Sequence, residues 1–236
     1  MKTKNEIWIS LLTVLGFVFV LSNSCKKTED TSPAVTDKDG NVYKTVSIGN
    51  QVWMAENLKT TKYLNGDLIG STATTTTDIS SESTPKYQWP CGGNETNVAT
   101  YGRLYTWYAV TDSRNICPTG WHVPTNDEFA TLMTAVGGDT IAGIKLKETG
   151  TTHWSSPNTG ATNGSGFTAL PGGYRGYTGD YQFIAYTGYW WTVTGYDANN
   201  AYFRGLYYNG KYDHNLTNSM KAGFTVRCLK GLPTAK

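Results

Sequence analysis

The chain predicts an α+β domain, and three observations carry that expectation. Glycine, tyrosine and tryptophan are abundant, at 26, 16 and 8 residues, as in folds of short strands joined by tight turns and packed with large rings. A hairpin pattern opens the domain. One amphipathic segment with clear start and stop signals follows, and from Trp154 onward the chain reads as alternating short segments separated by turns.

The first segment is an export signal. Lys2 and Lys4 precede an uncharged apolar run from Ile7 to Leu21, shorter than the roughly 20 residues that span a bilayer and closed by small polar residues. Leu21-Ser22-Asn23-Ser24-Cys25 looks like the lipobox of bacterial lipoproteins. It implies cleavage after residue 24, acylation of Cys25 and anchoring in a membrane, because two or more acyl chains hold a protein stably where one does not. Residues 25–36 are polar and charged, which predicts a tether. Residues 37–230 have the length of one domain, with 231–236 as a tail. The formal net charge is +2 with 16% charged residues, so no basic field for nucleic acid exists. The expected location is the cell envelope, at the outer membrane or cell surface.

Asp37-Lys38-Asp39-Gly40-Asn41 hints at calcium, the one cofactor the sequence suggests. It lacks the downstream Glu of a cation cage, so a plain turn is expected. The hairpin comes next: Val42 to Ile48 alternates, Gly49-Asn50 turns, and Gln51 to Ala55 returns. Gly70 to Thr84 is Ser/Thr-rich and predicts a surface loop. Tyr101, Leu104, Tyr105 and Tyr108 fall at helical spacing and predict a short helix.

Thr125 and Glu128 form a capping box for a helix whose apolar face is Phe129, Leu132, Met133 and Val136, stopped by Gly137-Gly138. Asp127 and Glu128 sit in its first turn, where the helix dipole accounts for them without acid–base chemistry. Later strands are expected over Phe167–Gly176, Tyr189–Thr194, Ala201–Leu206 and Gly223–Leu229. Besides Cys25 there are Cys91, Cys117 and Cys228. In an exported chain one disulfide and one thiol are expected. Cys117–Cys228 is the preferred pair, because it ties the middle of the domain to its last strand. The two other pairings stay open.

Several segments together carry a resemblance. They are Val46 to Leu58, Tyr101 to Trp107, Cys117 to Thr125, Gly166 to Arg175 and Gly223 to Cys228. In this order they resemble the Fibrobacter succinogenes major paralogous domain, a family of surface or secreted proteins, often lipoproteins, without an established activity. A weaker likeness of Val123–Phe129 and Gly223–Arg227 to formylglycine-generating enzymes implies a C-type-lectin-like fold: twisted antiparallel sheets, one or two flanking helices and long loops.

The chemistry of that likeness does not carry over. Its copper site needs two close cysteines late in the domain, where only Cys228 stands. His122, His153 and His214 have no ligand spacing, and no Gly-x-Ser-x-Gly elbow exists. Asp180, Asp197 and Asp213 lie between expected strands, where turns explain them as well as a carboxylate pair does. The calcium-and-sugar motifs of true C-type lectins are absent. The expectation is therefore a noncatalytic binding or surface-interaction module, with glycan or a surface protein as partner. Its contact residues, mostly rings, would come from Tyr174, Arg175, Tyr177, Tyr181, Tyr189 and Trp190, with Trp191 in the core. A polysaccharide-active or metal-dependent enzyme and a structural envelope protein are the alternatives.

Overall fold

The computed structural model describes residues 34–231. The export segment, Cys25 and the tail beyond Gly231 lie outside them. Among the described residues no helix is long and apolar enough to cross a membrane.

Strands β1 (Val35–Thr36) and β2 (Val42–Tyr43) pair across the Asp37–Asn41 turn. β1 occupies the last two residues of the segment expected as tether, because pairing across this turn already orders it. The Asp37 carboxylate closes the turn by accepting from the Asp39 and Asn41 amides, both at 2.9 Å, and from the Tyr43 hydroxyl. Asp39 accepts from Thr61 and pairs with Lys62 at 3.0 Å. The expected hairpin follows as β3 (Thr45–Ile48) and β4 (Gln51–Met54), with Ile48 opposite Gln51 across the Gly49-Asn50 turn.

The Tyr101–Val110 segment is not the helix its spacing predicts. After β5 (Gln88–Pro90), a short helix α1 (Val98–Tyr101) gives way to β6 (Arg103–Thr106) and then to α2 (Trp107–Val110). Gly102 is the cause. It sits at φ 78°, and a Cβ there would stand 2.8 Å from the Leu58 carbonyl oxygen, so the chain turns out of the helix at a position only glycine tolerates. All four β6 residues are then buried, and side chains buried on both strand faces do not show period-two alternation.

After β7 (Trp121–His122), helix α3 (Asn126–Ala135) starts at the predicted capping box, with the Thr125 hydroxyl accepting from the Glu128 amide and the Glu128 carboxylate from the Thr125 amide. Phe129, Leu132, Met133 and Val136 are buried. A second helix, α4 (Asp139–Leu146), begins after Gly138. The remaining strands are β8 (Tyr174–Arg175), β9 (Tyr181–Gln182), β10 (Thr187–Gly195), β11 (Asn200–Tyr207), β12 (His214–Ser219), β13 (Gly223–Phe224) and β14 (Leu229–Lys230). Of the expected Phe167–Gly176 strand only β8 forms.

Three main sheets result, ordered β3-β4-β14-β7, β5-β6-β13-β8-β9 and β10-β11-β12, and all their pairings are antiparallel. With the helices this is an α+β architecture. The expected last strand is divided: β13 joins one sheet and β14 another. Between them Thr225 exchanges backbone bonds with Tyr189 and Trp191, and Val226 accepts from the Leu58 amide. Residues 222–229 are all buried, so burial, not one ladder, explains their apolar run.

β10 is buried from both sides. Tyr189 and Trp191 face Phe203 and Phe224, with Trp191 and Phe224 ring centroids 4.4 Å apart. Trp190 faces Phe167, Trp53 and Leu206 on the other side. Cys117 and Cys228 form the disulfide that the sequence favoured, at a sequence separation of 111. Among the described residues Cys91 is the free thiol, and it is buried.

Candidate functional site

The site is built from a loop, a hairpin tip and one end of the β10-β11-β12 sheet. Arg175 on β8 assembles it. Its guanidinium donates to the carbonyls of Thr75, Thr77 and Gly176 and lies 3.9 Å from the Trp89 ring centroid. The fork of donors holds the Ser/Thr-rich loop against the β8–β9 hairpin. Burial lowers the Arg175 pKa below the usual guanidinium value, with Tyr181 and Asp180 working in the opposite sense. Tyr181 adds a hydroxyl bond to the Thr75 carbonyl at 3.1 Å. At the hairpin tip Gly179, at φ 98°, lies so near the Thr76 carbonyl that a Cβ would overlap it. The Tyr177 carbonyl accepts from the Ile79 amide, and the fully buried Ile79 pins the loop from below.

This packing leaves the Tyr177 ring 42% exposed at the tip. It lines a cleft of about 320 Å3 with Tyr108 of α2, Asn199 of the β10–β11 turn, Ser219 at the end of β12, Lys221 and Ser80. The Lys221 ammonium donates to the Ser80 carbonyl at 2.6 Å, which joins the loop to the sheet end. Residues bearing two phenol rings, an amide, two hydroxyls and an ammonium thus line it from five segments of chain. On the other side of α2 lies a second cleft of about 440 Å3, walled by Trp107, Val110, Val123 and Val193, with Ser113 and Asn115 among its polar lining. The Trp107 and Tyr108 rings stand between the two, 6.1 Å apart at 77°.

The residues expected at the contact surface divide. Tyr177 lies in the cleft. Tyr174 and Tyr181 are half-buried, and Tyr181 serves the loop. Arg175 and Trp190, at 0% and 1% exposure, present no face to solvent, and Tyr189 at 7% is packed between Phe203 and Phe224. The physical reason is packing: β8 lies inside its sheet, and β10, at the edge of its own, has that edge covered by Thr225, which bonds to Tyr189 and Trp191, and both faces covered by core rings. Trp191 is in the core as expected. Tyr108, Asn199, Ser219 and Lys221 were not legible as site residues, because no periodic signal links residues that meet only through turns. A second set of exposed rings, Phe183, Tyr186 and Tyr212, belongs to the far end of the sheet near Tyr207 and Tyr208.

The titratable groups serve other contacts. His122 places Nδ1 2.9 Å from the Gly231 carbonyl and Nε2 2.9 Å from the Glu128 carboxylate. Burial opposes its charge, but the bonds to Glu128 and Gly231 outweigh burial and raise the His122 pKa. Burial likewise works against the Glu128 carboxylate, and the bonds from His122 and Thr125 overcome it to lower that pKa. His153 pairs with Glu148 at 2.8 Å, while His214 contacts the Tyr207 ring. Asp180 and Asp197 close local turns. Asp213 instead forms a buried pair with Arg204 at 2.7 Å, and burial lifts its carboxyl to about 6 although Arg204 opposes the rise. Asp197 and Asp213 fall at opposite ends of the sheet. Among the described residues no three His, Cys, Asp or Glu side chains converge as a metal-binding group.

No curated protein and no solved structure matches the chain. The family model described as the Fibrobacter succinogenes major domain matches residues 46–230, which include the hairpin from Val46 onward, the disulfide and every residue of the tyrosine cleft. The chain therefore belongs to the Fibrobacter succinogenes major domain family.

Proposed function

We propose that this protein is a noncatalytic carbohydrate-binding module, held at the cell envelope by acylation of Cys25 and taking its glycan in the tyrosine cleft. The observation that carries this reading is the joint lining of that cleft by Tyr108, Tyr177, Asn199, Ser219 and Lys221. Sugar rings present C–H faces to phenol rings and hydroxyls to amide, hydroxyl and ammonium groups, and this cleft offers both kinds of surface side by side. Tyrosine loses little side-chain entropy on contact. The finer fold reading is C-type-lectin-like, supported by the long Ser/Thr loop and the two helices around antiparallel sheets.

The test is a glycan array probed with the mature protein and with Tyr177→Ala. Saturable binding by the parent that falls at least ten-fold in a folded Tyr177→Ala supports the reading. A blank array from folded protein overturns it in favour of a protein partner, and glycan binding indifferent to Tyr177 overturns the placement of the ligand in the tyrosine cleft.

A further inference from the structure

The second cleft behind α2 gives the ligand a chemical class. It is the larger of the two, at about 440 Å3, and its walls differ from those of the tyrosine cleft. Trp107, Val110, Val123 and Val193 make it apolar on one side. The Trp107 indole is fixed by a 2.9 Å bond from Nε1 to the Thr192 carbonyl, so this wall is preformed. The polar side holds Thr111, Asp112, Ser113, Asn115 and His122. Asp112 is paired with Lys86 and Arg114, His122 with Glu128 and the Gly231 carbonyl, and the Thr111 hydroxyl with the Trp107 carbonyl, which leaves Ser113 and Asn115 to face a ligand. Asn115 is itself held in place, donating to the Trp121 carbonyl at 3.2 Å and accepting from the Cys117 amide at 3.0 Å. A plain hydroxylated sugar could lay its C–H face on the indole but would set a hydroxyl against the valines. A methyl group alone would make no use of the Ser113 hydroxyl or of the capacity that the Asn115 amide has left.

Resting on the carbohydrate reading of the tyrosine cleft, we infer that the ligand is a 2-acetamido glycan, one residue stacking on Tyr177 and the next seating its acetamido group beside Trp107. The acetamido methyl meets Trp107, Val110 and Val193, and its N–H and C=O face Asn115 and Ser113. Discrimination comes from burying a methyl against the valines while satisfying an amide that a hydroxyl cannot replace.

The experiment titrates the mature protein with matched oligosaccharide trimers that differ only at C2: N-acetylglucosamine against glucose, and N-acetylgalactosamine against galactose. The acetamido member of at least one pair should bind ten-fold or more tighter than its partner. Trp107→Ala should erase that preference and leave the weaker, common affinity. Because Trp107 borders the core, Ser113→Trp is the second variant: it fills the cleft from an exposed position and should also erase the preference. Equal affinity within both pairs, or a preference that survives both variants, overturns the acetamido assignment while Tyr177-dependent binding of either sugar keeps the carbohydrate reading. Absence of binding to all four trimers by folded protein overturns both.

Discussion

Asn57 and Arg227 meet at the centre of the domain, the amide oxygen of one 3.0 Å from Nη2 of the other across 170 residues of chain. The same oxygen accepts from Trp190 Nε1 at 2.8 Å. Arg227 is fully enclosed, stacked 4.0 Å from the Phe167 ring centroid and bonded to the Phe167 carbonyl. Burial drops its pKa to about 9, with the Glu56 charge partly opposing the fall. A buried cation without a carboxylate at contact distance depends on such neutral acceptors. Asn57 therefore ties the opening hairpin, the two-sided strand β10 and the closing segment into one unit.

Replacing Asn57 with Leu should cost about 3 kcal/mol, because it strands a buried guanidinium and an indole N–H. Urea unfolding of the variant measures this. A loss under about 1 kcal/mol would show that Arg227 finds other acceptors.

Reducing the Cys117–Cys228 disulfide should destabilise the domain by roughly 4 to 5 kcal/mol in the chain-entropy account of so long a loop. Cys91 should behave oppositely. Burial lifts its thiol to about 12, and its Sγ donates to the Gly172 carbonyl at 2.9 Å, so alkylation followed by peptide mass mapping should label it only after denaturation. Labelling of Cys91 in the native protein would contradict this burial.

The His122–Glu128 pair sets a pH window. A raised histidine pKa contributes stability that is full below its unfolded value of 6.5 and is lost as pH rises through the folded value. A lowered glutamate pKa contributes stability that is full above 4.5 and is lost as pH falls through the folded value. The stability difference between the parent and His122→Gln should therefore be greatest from about pH 4.5 to 6.5 and shrink on both sides. A difference independent of pH would remove the ionic contribution.

Arg175→Ala should free the Ser/Thr loop without unfolding the sheets. Hydrogen exchange at the Ile79 amide, which is bonded to the Tyr177 carbonyl, should accelerate by ten-fold or more. Arg175→Lys should not restore protection, because one ammonium cannot reach three carbonyls in a fork. Unchanged exchange in Arg175→Ala would assign the loop's order to Ile79 alone.

Local rules with a single physical cause were legible in the sequence. The Gly49-Asn50 turn, the Thr125–Glu128 capping box, the stop at Gly137-Gly138 and the Cys117–Cys228 pair all appear where residue chemistry places them. The failures share another cause. Tyr101, Leu104, Tyr105 and Tyr108 have helical spacing only because β6 is buried on both faces and Gly102 redirects the chain. Arg175 and Trp190 look like surface contact residues among exposed-looking rings, yet β8 lies inside its sheet and the closing segment covers the free edge of β10, which encloses them. The cleft was half legible: Tyr177 stands out beside glycine turns, whereas Tyr108, Asn199, Ser219 and Lys221 are recruited by tertiary packing.

The central claim is that ligand enters between Tyr177 and the end of the three-stranded sheet. Its most direct test is a titration of isotope-labelled mature protein with the acetamido trimers, followed by amide and aromatic chemical shifts. The account predicts saturable changes centred on Tyr108, Tyr177, Asn199, Ser219 and Lys221, continuing to Trp107 and Asn115. Changes centred instead on Phe183, Tyr186 and Tyr212, or no change at saturating sugar, would contradict it.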